Sequence, residues 1–353
     1  MTTIKDIAKR ANVSTATISN VLNGTGSVSE KMRVKILEVI KEMNYQPNLI
    51  AKSLKLKKTK TIGVIVEDVT SFNSAEIIDG INEYAENEGF SILLTNMRLL
   101  KRLGKAQEYA NTGVVKQLAE QAFKEILNKQ VEGLIYIGAH PRDVTGIIQN
   151  TTLPTVYTYC YTSNDDDYSI NYDDHLGAYE ATKHLIDLGH KRIAVISGLF
   201  NSNPSRERFN GYYQAIMDNQ LDFDPALIKT GDWEFDSGHR LTSELLSTVQ
   251  KPTAILAMND NMAAGAIDAC KNKGLRVPED ISVIGFDDRE FSSYISPRLT
   301  TMKLPLHEMG TEAMSSIMDI LAGNESAIRN KKLKCTLIQR QSGDIAEAGS
   351  KIV

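Results

Sequence analysis

Apolar side chains at Ile4, Ile7, Ala8 and Ala11 fall at i, i+3, i+4 and i+7, the stripe of a short amphipathic helix. Asn12-Val13-Ser14 interrupts the stripe, and Ser14 offers the side-chain oxygen that an N-cap needs ahead of a second helix over 15–22. On that helix Ile18, Val21 and Leu22 share one face; Ala16, Asn20 and Asn23 point the other way, flanked by Thr17 and Ser19. Past Gly24-Thr25-Gly26, Ser29 can cap a third helix with Ile36, Leu37, Ile40 and Met43 turned inward. Asn44-Tyr45-Gln46-Pro47 ends it, because proline disfavours helix in the residue before it. Three short helices with a turn between the first two predict a helix-turn-helix head, although periodicity alone also fits a generic bundle.

From Thr61 onward the pattern changes. Short apolar runs at 61–66, 90–95, 133–138, 155–159, 192–197, 253–258 and 281–286 alternate with amphipathic stretches such as 74–88, 114–129, 175–188, 205–219 and 261–273. Such alternation predicts parallel sheets covered by helices on both faces. That many strands exceed one typical core, so the expected body is two doubly wound parallel-sheet subdomains with a cleft between them. No apolar run approaches the roughly 20 residues that a bilayer requires. The first residues also lack a signal-peptide pattern, which predicts a cytoplasmic protein.

Charge separates the two parts. Residues 1–60 carry 12 Lys+Arg against 4 Asp+Glu, a net of +8 within a chain of −4, which leaves −12 on the rest. A basic head on an acidic body points the head at a polyanion. The outward face of small and amide side chains (Ala16, Asn20 and Asn23, flanked by Thr17 and Ser19) suits the major groove, where Asn can pair with adenine and Ala or Thr can touch a thymine methyl, and Lys5, Ser14 and Thr15 are expected as further DNA contacts. Between head and body, Asn48 can cap a short helix over 49–56 in which Leu54 sits between Lys52 and Lys55, an apolar wedge beside two cations of the kind that kinks DNA from the minor groove. A plain basic linker is the alternative.

In open α/β sheets ligands bind beyond the carboxyl ends of the strands. There the body carries Glu67, Asp68, Ser71, Phe72 and Asn73, then Cys160, Arg206 and Arg208, Asn259 and Asp260, and Asp287 and Asp288, with the single tryptophan, Trp233, in a loop. Carboxylates, amides and guanidinium groups beside aromatic faces suit a small polyhydroxylated or heterocyclic ligand. Each also has a plainer reading: Asn259 or Asp260 as a helix cap, Trp233 as a core aromatic. Cys160, Cys270 and Cys335 lie far apart, as reduced buried thiols would, and His184 and His190 do not share a helix face, so no metal or other cofactor is expected. No nucleophile–histidine pairing or phosphate loop stands out, so the chain reads as no enzyme; a sugar-processing enzyme and a non-specific architectural DNA-binding protein remain the alternatives.

TIKDIAKRANVSTATISNVLNG, followed by NYQPNLIAKSLKLKKTKTIGVI, resembles the lac repressor (LacI/GalR) family of bacterial transcriptional regulators, most specifically over the first 65 residues and more loosely through the body. The resemblance implies a homodimer that represses from operator DNA under control of a small-molecule effector, a sugar or sugar derivative, with a nucleobase as the other class. It implies Thr15, Ala16 and Asn20 as base readers, Leu54 as the wedge at the operator centre, and Arg208, Trp233, Asn259 and Asp287 in the effector pocket, to which we add Glu67, Phe72, Asn73 and Cys160. Lys52 departs from the arginine common there, which keeps the charge but loses the fork geometry. The expected organisation is a helix-turn-helix domain over 1–46, a hinge helix and linker over 47–60, and an effector-binding and dimerisation domain over 61–345. The last resembles periplasmic sugar-binding proteins, with an N-subdomain over about 61–161 and 291–323 and a C-subdomain over about 162–288 and 325–340. Three crossings between them are expected near Tyr161, Asp288 and Asn324.

Overall fold

The computed structural model describes residues 2–23, 25–45, 59–104, 112–149, 151–324 and 329–343, and divides into two units, Met1–Thr59 and Lys60–Val353. The proposed wedge helix, with Lys52, Leu54 and Lys55, lies outside the described residues.

In the first unit, α1 (Ile4–Ala11), α2 (Thr15–Asn23) and α3 (Glu30–Glu42) enclose a core of Ile7, Ala8, Ala11, Ile18, Val21, Ile36 and Val39. Thr3 and Asp6 form a reciprocal capping box at the start of α1: Thr3 N–H donates to the Asp6 carboxylate at 2.9 Å and Asp6 N–H to the Thr3 hydroxyl at 3.3 Å. The Thr3 hydroxyl also donates to the Asp6 carboxylate at 2.7 Å, and this bond, with the one from Thr3 N–H, holds the Asp6 carboxyl below its usual range. Ser14 caps α2 as expected, accepting from Thr17 N–H at 3.1 Å. One inward position differs. Leu37 is 49% exposed and Val39 takes its place in the core. The stripe of α3 is Ile36, Val39, Ile40 and Met43, at i, i+3, i+4 and i+7, and Leu37 falls one step off that face.

Among the described residues, the second unit holds two six-stranded sheets. The first contains β1 (Thr61–Val66), β2 (Ser91–Asn96), β3 (Gly133–Ile137), β4 (Thr155–Thr158), β5 (Tyr168–Tyr172) and β11 (Asn330–Leu333), in the order β11-β5-β4-β3-β1-β2, all parallel. The second contains β6 (Ile193–Ser197), β7 (Ile228–Thr230), β8 (Ala254–Ala257), β9 (Ser282–Asp287), β10 (Thr300–Lys303) and β12 (Thr336–Ile338), in the order β12-β10-β9-β8-β6-β7. Only β12 there runs antiparallel, against β10. Fully buried runs such as AILA in β8 and GLIYI in β3 are what strands covered on both faces require. On the first sheet the covering helices include α4 (Ser74–Asn87), α6 (Thr112–Leu127) and α11 (Leu306–Leu321), with the short α5 (Leu99–Leu103) between β2 and α6. On the second they include α7 (Asp174–Asp187), α8 (Asn203–Asp218), α9 (Phe235–Leu245) and α10 (Asp260–Asn272).

The two lobes are present, but their boundaries move. Strand β5 stays in the first sheet and the chain crosses at Asp173, not near Tyr161. Strand β10 pairs with β9, so the second crossing falls at Leu304-Pro305, beyond Asp288. Strand β11 pairs with β5 before the chain returns at Lys334-Cys335, beyond Asn324. The N-lobe is therefore about 61–173 and 305–333, and the C-lobe about 174–304 and 334–343. The expected crossings were too early because β5, β10 and β11 are short and rich in polar residues, and the apolar runs before them look like the last strands of each lobe.

Candidate functional site

On the head, Thr15, Ala16 and Asn20 are exposed along α2, with Ser14 and Lys5 exposed nearby and Thr17 half-buried. Asn23 closes the helix; its side chain lies outside the described part. The core side, Ile18 and Val21, fixes the rotation of α2, so its small and amide residues face outward. Gly26 has φ +77°, and a Cβ there would come within 2.8 Å of the Asn20 side-chain nitrogen. A glycine thus permits the loop to close against the amide expected to read a base.

In the body the predicted residues fall into two groups. Arg208, on α8, is 3% exposed and lies where the lobes meet. Its Nε donates to Asp174 at 2.6 Å, one terminal nitrogen donates to the Met258 carbonyl, and the other to the Tyr172 hydroxyl of the N-lobe at 3.0 Å. Asp287 stands 3.5 Å away, and the guanidinium lies 3.7 Å from the Phe286 ring centroid and 5.7 Å from that of Trp233. Burial pushes the Asp174 carboxyl above its usual range and the Asp287 carboxyl up to about 7, each against the opposing pull of Arg208. Asp287 also has φ 111°, and Asp288 φ 55°, a strained pair at the carboxyl end of β9.

Asn259 is both a cap and a brace. Its oxygen accepts from Met262 N–H at 2.9 Å, and its nitrogen donates to the Trp233 carbonyl at 2.9 Å, fixing a loop in which Trp233 has φ 74°. From the N-lobe, Phe72 packs edge-on to Tyr159 with centroids 6.3 Å apart, and the Arg289 guanidinium of the C-lobe lies 4.3 Å from the Phe72 centroid. Tyr159 continues to Tyr172 at 5.6 Å. The chain Arg289–Phe72–Tyr159–Tyr172–Arg208 therefore joins the two lobes.

Glu67 and Cys160 stand elsewhere, in the core between the first sheet and α6. Glu67 is fully buried, accepting from the Tyr136 hydroxyl at 2.5 Å, from Ala139 N–H at 2.8 Å and from both terminal nitrogens of Arg142. Burial alone would raise its carboxyl, but Arg142 and these donors hold it below its usual range. Cys160 is fully buried, and burial pushes its thiol far up. The alternation of side chains explains the split: Tyr159 turns to the lobe interface and Cys160 to the opposite face. Asn73 is buried, donating to the Gly138 carbonyl at 3.1 Å and accepting from Ser71. A cavity of about 350 Å³ lies on the N-lobe beside Arg142 and Asp143 and another of about 290 Å³ lies across the lobes beside Asn171, Glu207 and Lys332; Arg208 lines neither. The convergence of side chains, rather than open volume, marks the Arg208 cluster as the candidate site.

Tyr159, Tyr172, Asp174 and Arg289 were not among the predicted residues. Tyr159 adjoins Cys160 at a strand end and could have been found there; Asp174 reads in sequence as an ordinary helix-start carboxylate.

Comparison with known proteins covers both units. Residues 3–48 match the model for bacterial regulatory proteins of the lacI family, and residues 182–343 that for a periplasmic binding protein-like domain. The chain is 32% identical to the ribose operon repressor of Haemophilus influenzae, over 97% of this chain and 98% of that one. It is 34% identical to the HTH-type transcriptional repressor PurR of Aliivibrio salmonicida, over 97% and 99%. Among solved structures, a lac repressor dimer bound to operator and the anti-inducer ONPF matches with a TM-score of 0.77 and 30% identity, over 97% and 99%.

Proposed function

The chain belongs to the lacI family of bacterial regulatory proteins, and from that premise we propose how it acts: the head reads operator DNA, and a small molecule bound between the body's lobes sets the affinity of that reading. It is a sequence-specific DNA-binding transcriptional regulator of the repressor type. The observation that carries the DNA-reading role is the exposed Thr15–Ala16–Asn20 face on the second helix, in a chain whose first 60 residues carry a net charge of +8. The charge supplies phosphate attraction for any duplex; the amide and methyl groups supply the choice of bases.

Two chains pair through their bodies and present two copies of α2 to a two-fold symmetric operator. The solved relative, a lac repressor dimer on its operator, supports that arrangement. Leu54, flanked by Lys52 and Lys55, keeps the wedge role read from the sequence. The effector, a sugar or sugar derivative in keeping with the ribose operon repressor, engages Arg208, Trp233, Asn259 and Asp287, with Phe72 on the opposite lobe. Glu67, Asn73 and Cys160 act behind this cluster, holding the N-lobe rigid. Coupling between ligand and operator is reciprocal, so operator DNA changes effector affinity by the same factor. The role is regulatory rather than catalytic, needs no cofactor, and is exercised on DNA in the cytoplasm.

Selection of duplexes from a random pool by the full-length chain, followed by a thermal-shift screen of sugars with and without the selected site, tests the proposal. A selected consensus with two-fold symmetry, and a ligand whose affinity changes when operator is added, are the expected results. Enrichment of no sequence over random duplex, or turnover of a bound sugar, would contradict it.

A further inference from the structure

Arg208 is already heavily engaged: each of its three nitrogens donates once, to Asp174, the Met258 carbonyl and the Tyr172 hydroxyl, and Asp287 stands at 3.5 Å. The second guanidinium at the lobe interface, that of Arg289, is placed differently. Its backbone N–H donates to the buried Asp260 carboxylate at 2.7 Å, which anchors the loop after β9, and its side chain lies 4.3 Å from the Phe72 ring centroid. Among the described residues no carboxylate forms an ion pair with it; Asp287 senses its charge, but pairs with Arg208. A guanidinium resting on an aromatic face is oriented by the ring while its N–H groups stay available at the edge. That fork matches the paired oxygens of a phosphate or carboxylate.

We propose that Arg289 recognises an anionic group on the effector, a phosphate or a carboxylate, with Phe72 as the platform that orients the guanidinium. The inference rests on the effector reading above and narrows it: the ligand is charged. Because Phe72 belongs to the N-lobe and Arg289 to the C-lobe, an anion bound there acts at a contact between lobes, where binding and lobe position are coupled.

Calorimetry on the full-length chain with matched ligands decides the matter: ribose against ribose 5-phosphate, glucose against glucose 6-phosphate, and glucose against gluconate. In at least one pair the anionic member should bind about tenfold tighter or more. Whether phosphate or gluconate shows the gain identifies which anion is read. Arg289→Gln should remove the preference, and Arg289→Lys, which keeps charge without the fork, should retain part of it. Unliganded melting temperatures establish that the variants fold, and Arg289→Lys carries the test should Arg289→Gln fail to. Equal or tighter binding of the neutral members, no binding by any anionic member, or an undiminished preference in Arg289→Gln overturns the inference. A neutral sugar that alters operator affinity would remove this inference and leave the regulatory reading standing; failure to select any operator would remove the regulatory reading itself.

Discussion

Arg208→Ala removes the most heavily bonded side chain at the lobe interface. The variant deletes the hydrogen bonds to Tyr172 and to the Met258 carbonyl and leaves Asp174, whose side chain is 7% exposed, without its counter-ion. Removing one member of a buried pair costs about 3–5 kcal/mol, because the remaining charge stays buried and uncompensated. Set against a typical domain stability of roughly 5–15 kcal/mol, the body should still fold but with a clearly lower urea midpoint. The pH dependence fixes the cause. Burial already lifts the Asp174 carboxyl in the folded state, and without Arg208 it rises further above its unfolded value of about 3.9. A carboxyl whose folded value is raised destabilises the fold as pH climbs through and above the unfolded value, so the deficit should be larger at pH 7.5 than at pH 5. Asp174→Asn added to Arg208→Ala should recover part of it at pH 7.5. Urea unfolding followed by far-UV circular dichroism measures all three. Midpoints equal to wild type, or a deficit that ignores both pH and Asp174→Asn, would refute the reasoning.

Other outcomes follow from the same contacts. A Cβ at position 198 would collide with the indole ring of Trp233, so Gly198→Ala should cost about 1–3 kcal/mol and change the emission of the chain's single tryptophan; an unaltered spectrum and melting temperature would contradict the packing. Gly26→Ala puts an L-residue at φ +77° against the Asn20 amide, and should lower operator discrimination more than binding to random duplex, as measured by competition. Burial raises the Asp287 carboxyl to about 7, so in the wild type its ionisation opposes folding increasingly between the unfolded value of about 3.9 and about 7. Asp287→Asn lacks that term and should gain melting temperature relative to wild type as pH rises from 5 to 8; a constant difference would argue against a raised Asp287.

The parts of this molecule legible in the sequence are those whose physics is local. The stripe Ile4–Ile7–Ala8–Ala11, the Ser14 cap and the fully apolar central strands each announce themselves within a few residues. Strand β11, Asn-Lys-Lys-Leu, does not: its burial alternates at the edge of the sheet, and only pairing with β5 makes it a strand. Since that pairing decides which lobe the segment joins, the crossings were misplaced with it. The site divides in the same way. Reading strand ends singled out Arg208, Asp287 and Phe72, which the fold brings to the lobe interface, because position at a sheet's carboxyl edge is a property of the sequence order. It singled out Glu67 and Cys160 as well, which the fold places apart from that cluster, since a residue's place at a strand end leaves open which face its side chain takes. Arg142, which neutralises Glu67, lies 75 positions away in the chain and no spacing links them.

Fluorescence anisotropy with a selected operator and a scrambled duplex of equal length tests the central claim most directly, on wild type and Asn20→Ala. The account predicts that wild type prefers the operator and that Asn20→Ala gives up about 1–3 kcal/mol of that preference while holding the scrambled duplex as before. Equal loss on both duplexes, or no loss on either, would contradict a base-reading face on α2.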